Sequence, residues 1–201
     1  MVCTDLYDGY VNAAKEVLGR KVRIVVDRFQ VANLYRKGLD EVRKKELKRL
    51  KKELPVATYK EVKGVIWRLR KNPEELEPEE HETLKKVFKY APLLGTASVL
   101  CYPLTGIFEP PLTKGEGRCQ LRAWKELVKK SGLSCFDSFL KTLDEWMDEI
   151  TNYFVDRHSS GFVEGLNNKI KVIKRRCYGI LNVGHFFQRL FIDLRGYEVF
   201  A

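Results

Sequence analysis

No Cys-x-x-Cys pair, internal repeat or low-complexity tract occurs in the 201 residues. No apolar run approaches the roughly 18 residues of a membrane span. The five cysteines, Cys3, Cys101, Cys119, Cys135 and Cys177, are odd in number and widely spaced. A zinc ribbon and a disulfide framework are both excluded by that pattern, and reduced thiols in a cytoplasmic protein are expected. The N-terminus lacks the charged-then-apolar order of a signal peptide, so a soluble chain with no membrane partner is expected. A disordered tail is excluded too, because 44% apolar residues suffice to bury a core.

What the chain has is positive charge. Thirty-seven Lys and Arg face 27 Asp and Glu, a formal net charge of +10. A surface of that sign attracts polyanions, which makes nucleic acid the first partner to consider. Charge proposes such a partner without identifying it, since many basic proteins bind nothing anionic.

The organisation reads as a little sheet and much helix. Val2-Cys3-Thr4 has the character of a strand end, followed by a polar stretch to Gly9 and a short helix over Tyr10–Leu18. Val22–Val26 is a β-branched run closed by Asp27, suited to a buried strand with helical crossovers. Val31–Glu53 predicts a long charged helix with Leu39, Val42, Leu47, Leu50 and Leu54 on its apolar side, stopped by Pro55. Two amphipathic helices follow, Thr58–Leu69 and Glu79–Tyr90, separated by Asn72-Pro73. Gly95, Pro103, Gly106, Pro110, Pro111, Gly115 and Gly117 predict a broken helix and a loop between 91 and 120. Helical spacing returns over Leu121–Lys130 and over Ser138–Phe154, where Phe139, Leu143, Trp146 and Ile150 form a stripe of core type.

Ser159–Tyr178 carries the chemistry. At about 100° per residue, Phe162, Leu166, Ile170, Ile173 and Cys177 share one helix face, and Glu164, Asn168, Lys171 and Arg175 share the opposite one. Ser159 or Ser160 can cap the helix, and an acid in its first turn is favoured by the dipole. Glu164 therefore has a purely structural reading. Its neighbours supply another: metal-assisted phosphoryl transfer needs carboxylates converging from separate elements, with amides and cations holding the anionic backbone. Lys169, Lys174 and Arg176 flank that face and are either phosphate contacts or a solvated basic surface.

The string Ser160-Gly161-Phe162-Val163-Glu164-Gly165-Leu166-Asn167-Asn168-Lys169-Ile170-Lys171, with Lys174-Arg175-Arg176 and Tyr178-Gly179 after it, resembles the terminal signature of the ISL-three family of transposases. Thr4-Asp5 followed by Tyr10, and Val26-Asp27-Arg28-Phe29 followed by Val31, resemble the same family's strand-end motifs in the same order. The resemblance implies an α/β fold that is mostly α: part of a ribonuclease-H-like core with a large helical insertion. The implied division is core strands and helix over 1–30, inserted helices over 31–155, and the catalytic helix with its successor over 156–201.

Carried over residue by residue, Asp5 matches the family's second catalytic aspartate and Glu164 its glutamate, together binding Mg2+ or Mn2+. Asp8 competes with Asp5 in the same loop, and the position after the strand favours Asp5. Asp27 reads as a strand-end or helix-capping residue and not as a metal ligand. Asn168, Lys169, Lys171, Lys174, Arg175 and Arg176 are the implied DNA contacts. The implied partners are double-stranded DNA, as transposon ends and target, and full-length transposase or a second copy of the chain.

The resemblance also sets limits. The family's first aspartate belongs to an earlier strand that this sequence does not contain, so a truncated and catalytically incomplete enzyme is expected. A decaying copy would also explain Gln30, where the family often has His, and an eroded 91–120 segment. Missing strands would leave Val22–Val26 with few partners and an exposed edge. A non-catalytic DNA-binding remnant that interferes with full-length transposase is the alternative, and an inert helical remnant a third.

Overall fold

In the computed structural model of the chain, residues 1–65, 67–71 and 73–200 are described, with the backbone alone at Phe162, Tyr197, Val199 and Phe200. The expected place of the Phe162 side chain, and the parts of the expected elements falling on Ile66 and Asn72, lie outside the described residues. Two compact units divide the chain, Met1–His158 and Ser159–Ala201.

The first unit begins with β1 (Val2–Thr4), α1 (Asp8–Leu18) and β2 (Ile24–Val26). The strands pair in parallel with Val2 opposite Ile24 and Thr4 opposite Val26. A parallel pair needs a crossover, and α1 supplies it. β2 is buried along its whole length. Among the described residues β2 has the few strand partners expected, β1 alone, but the expected exposed edge is corrected: α8 (Met147–Thr151) packs against β2, and the Asn152 amide donates to the Ile24 carbonyl at 2.7 Å. One side-chain bond thus satisfies a buried backbone acceptor that a further strand would otherwise take.

α2 (Arg28–Glu53) is the spine of this unit, its Val31, Tyr35, Leu39, Leu47 and Leu50 buried at helical spacing. Gly38 allows close approach to the 3-10 turn Ser134–Phe136, since a Cβ there would lie 2.4 Å from the Cys135 carbonyl oxygen. α3 (Val56–Val62) is shorter than the expected Thr58–Leu69 helix, because Gly64 turns the chain at φ +81°. A 3-10 turn at Arg68–Arg70 follows, then α4 (Pro78–Tyr90), which opens on a capping box between Glu77 and Glu80.

The largest departure from the sequence reading falls between residues 91 and 120. α5 (Pro92–Ile107) is a continuous 16-residue helix, and α6 (Lys114–Ser131) begins well before Leu121. Leu94, Ala97, Ser98, Cys101, Leu104 and Ile107 are all buried, a helical stripe that the Gly and Pro residues masked. Pro103 can donate no bond to the carbonyl of Val99, but Val99 is exposed and water can replace the donor. α5 packs against α2, α4 and α6, so tertiary burial outweighs local propensity. The expected broken helix is thereby corrected to a continuous one.

The expected single helix over Ser138–Phe154 is three pieces: α7 (Asp137–Glu145), α8 and α9 (Tyr153–Asp156). Phe139, Leu143 and Ile150 are buried as expected, whereas Trp146 is half-buried at the first break. The buried Trp124 fills the centre, donating its indole N–H to the Leu100 carbonyl at 2.7 Å with the Phe136 and Phe139 rings against it. No described helix is long and apolar enough to cross a membrane.

The second unit is a helix pair, α10 (Gly161–Arg176) and α11 (Val183–Phe200). Among the described residues Ile173 and Leu190 are buried, and Leu166, Ile170 and Cys177 are half-buried on the face of Ile173. Tyr178 and Gly179, both at positive φ, turn the chain between the helices.

Candidate active site and nucleic-acid face

Asp5 and Asp27 each follow the last residue of their parallel strand, one register position beyond the Thr4–Val26 pair. The carboxyl ends of parallel strands are where open α/β sheets place ligands. Their environments differ. Asp27 is fully buried and caps α2, accepting from the Phe29 N–H at 2.8 Å, as its capping reading expects. Asp5 is exposed, and its Oδ1 accepts from the Gln30 amide at 2.8 Å. Asp8 is occupied differently, as the first-turn acid of α1.

Gln30 is the residue that sequence reasoning undervalued. It stands three positions after the cap, where a capping-box Gln would turn back to the cap's own N–H. Here its side chain orients the proposed metal-binding carboxylate instead. Within electrostatic reach of both aspartates is Cys3, whose thiol is pushed up to about 11 by burial, then by the charges of Asp27 and Asp5. It is therefore a neutral thiol near neutral pH and a poor nucleophile.

In the second unit, Glu164 sits in the first turn of α10, exposed, with the Ser160 hydroxyl 3.3 Å from its Oε1. Ser160 occupies the cap position but makes no side-chain bond to the helix N–H groups. Glu164, Asn168, Lys171 and Arg175 are all exposed and share a face, opposite the half-buried apolar residues. Lys171, Lys174, Arg175 and Arg176 have no acidic partner among the described residues. Lys169 does: its ammonium reaches the Asp193 carboxylate at 3.2 Å and the Asp193 carbonyl at 2.9 Å, tying α10 to α11.

Asp5 and Glu164 offer hard carboxylate oxygens of the kind that Mg2+ and Mn2+ take. Among the described residues, no group of three or more His, Cys, Asp or Glu is placed to hold a metal ion.

A family model described as "Transposase", that of the ISL-three DDE transposases, matches residues 1–190. The chain belongs to this family. A curated relative, the "Transposase for insertion sequence element IS1001" of Bordetella parapertussis, is 28% identical over 173 residues, covering 85% of this chain. The chain spans 41% of that relative's length. No solved structure matches it.

Proposed function

We propose that the chain serves DNA transposition, as part of a DDE transposase acting on DNA phosphodiesters by metal-dependent hydrolysis and strand transfer. In this reading residues 1–30 belong to a ribonuclease-H-like core, 31–155 are helices inserted into it, and 156–201 return to it with the catalytic helix. Asp5 and Glu164 bind Mg2+ or Mn2+, with Gln30 holding the Asp5 carboxylate in one orientation. The bound metal supplies Lewis-acid activation of water and neutralises charge on the phosphate. Asn168, Lys171 and Arg175 seat the phosphates of double-stranded DNA beside Glu164, and Lys174 and Arg176 extend the contact along the duplex. Lys169 contributes through its bond to Asp193, which keeps α10 in place, and adds a positive field. Transposon ends and target DNA are the proposed substrates, with full-length transposase or a second copy as the protein partner.

The observation that carries this reading is the exposed α10 face, on which one carboxylate shares a surface with an amide and with cations that have no acidic partner among the described residues. The test measures Mn2+ binding by water-proton relaxation and duplex binding by anisotropy, on the full chain. Asp5→Asn and Glu164→Gln should each weaken Mn2+ binding at least tenfold and leave duplex binding within twofold. Unchanged Mn2+ affinity in both variants would remove the carboxylates from the proposal. Duplex binding that persists in such variants would then favour the non-catalytic DNA-binding reading.

A further inference from the structure

Residues 28–37, the start of α2, hold three cations and no acid, Arg28, Arg36 and Lys37, and none of them has an acidic partner among the described residues. Arg70, brought alongside by the 3-10 turn, is equally free of one. Arg36 lines two adjoining cavities. One, of about 340 Å³, it shares with Asn33, Lys37 and Arg70; the other, of about 180 Å³, it shares with Arg28 and Phe29. Two acids border them. Asp40 is already neutralised by Arg43 at 2.7 Å and Lys44 at 2.9 Å, and Glu109 stands beside Arg28 and Phe29.

Two of the cavity-lining arginines lie over exposed aromatic rings, Phe29 in the lining itself and Trp67 next to Arg70. Arg28 lies 5.1 Å from the Phe29 centroid, and Arg70 lies 5.4 Å from that of Trp67. Phe29 is 46% and Trp67 69% exposed, whereas Tyr35, Phe108, Trp124, Phe136 and Phe139 of the same unit are buried. Cations along a groove with aromatic platforms beside them are what a single nucleic-acid strand needs: charge for its phosphates and flat apolar surfaces for unpaired bases. From Phe29 to Arg36 the helix rises ~10 Å, about three nucleotides at duplex spacing.

We propose that this groove binds a single-stranded segment of DNA, its phosphates on Arg36, Lys37 and Arg70 and its unstacked bases on Phe29 and Trp67. The proposal rests on the transposase reading for the identity of the polymer. It adds a second DNA site, for strands opened from the duplex that α10 meets.

The test titrates the full chain into a labelled 20-nucleotide strand and into the matching duplex, following anisotropy at two salt concentrations. Lys37 and Arg70 are exposed, so Lys37→Ala with Arg70→Ala should leave thermal unfolding unchanged. This variant should weaken strand binding about tenfold and flatten its salt dependence by about 1 to 1.5 in logarithmic slope. Phe29→Ala with Trp67→Ala should weaken strand binding at least fivefold and leave duplex binding within twofold. Lys171→Ala with Arg175→Ala should show the reverse preference.

Unchanged strand affinity in both groove variants, with duplex binding still lost in the α10 variant, overturns the groove and leaves the transposase reading standing. Equal losses for strand and duplex in the aromatic variant overturn the single-strand assignment. Failure of the unaltered chain to bind either DNA at low salt overturns both.

Discussion

Residues 40–53 of α2 and 164–176 of α10 look alike as sequence, each a helical run rich in Lys and Arg, yet the structure uses them differently. On α2, Asp40 takes Arg43 and Lys44, and Glu46 and Glu53 take Arg49, whose guanidinium also donates to the Tyr90 carbonyl at 2.7 Å, whereas Lys45, Lys48, Lys51 and Lys52 have no acidic partner among the described residues. Among the described residues of α10 only the Lys169 cation has an acidic partner, which comes from α11. The spacing of acids makes the difference: an acid three or four positions away consumes a cation locally, and one lone first-turn glutamate cannot. A basic run signals a polyanion partner only where its own helix leaves it unneutralised.

The sharpest way to break that comparison is charge reversal. Lys171→Glu with Arg175→Glu should lower duplex affinity more than a hundredfold and flatten its salt dependence by about 2 in logarithmic slope. Arg49→Ala, at a cation that Glu46 and Glu53 already neutralise, should leave affinity within twofold in the same titration. Its effect on stability should stay within about 1 kcal/mol, because the pairs it breaks are largely exposed.

The two strand-end aspartates sharpen the contrast between structural and available charge. Asn152→Ala, which strips the buried Ile24 carbonyl of its donor, should cost about 1–3 kcal/mol in urea unfolding. Asp27→Ala should cost about 1–2 kcal/mol through the lost cap, and Asp5→Ala, at an exposed site, within about 0.5 kcal/mol. Equal losses at positions 5 and 27 would remove the distinction between them.

Smaller effects come from titration. Hydrogen bonding from Lys114, opposed by slight desolvation and reinforced by Arg118, holds the Asp148 carboxyl below its ordinary value of 3.8. Its folded pKa is depressed, so its contribution is fully present above the unfolded value and is lost as pH falls through the folded one. Asp148→Asn should therefore reduce the acid sensitivity of unfolding below about pH 4 and change little at neutral pH. Among the thiols, exposed Cys119 should react first with a disulfide reagent near pH 8 and Cys101 last, burial having pushed Cys101 up to about 12. Cys3 and Cys135, both at about 11, should lie between.

Much of the candidate site was legible before any coordinates. The α10 face follows from 3.6-residue periodicity alone, and Asp27 as a cap follows from an acid placed between a β-branched run and a helix. The pairing of Gln30 with Asp5 was not legible, because it spans two elements whose adjacency depends on the parallel register of β1 and β2. The groove was hidden for the same reason: Arg70 reaches α2 only after the chain has turned through Gly64.

The sequence by itself determined the elements whose patterns repeat within a turn or two: the strand ends, α2, α4, and the two faces of α10. Tertiary structure decided the continuity of α5 through Pro103, the breaks around Trp146 and Asn152, and the covering of β2. Local propensity there amounts to about 1 kcal/mol per residue, or ~3 for proline, and burial of an entire apolar stripe against three neighbouring helices exceeds it. The breaks carry the same lesson, since Asn152 leaves a helical pattern to satisfy a strand carbonyl 128 residues earlier in the chain.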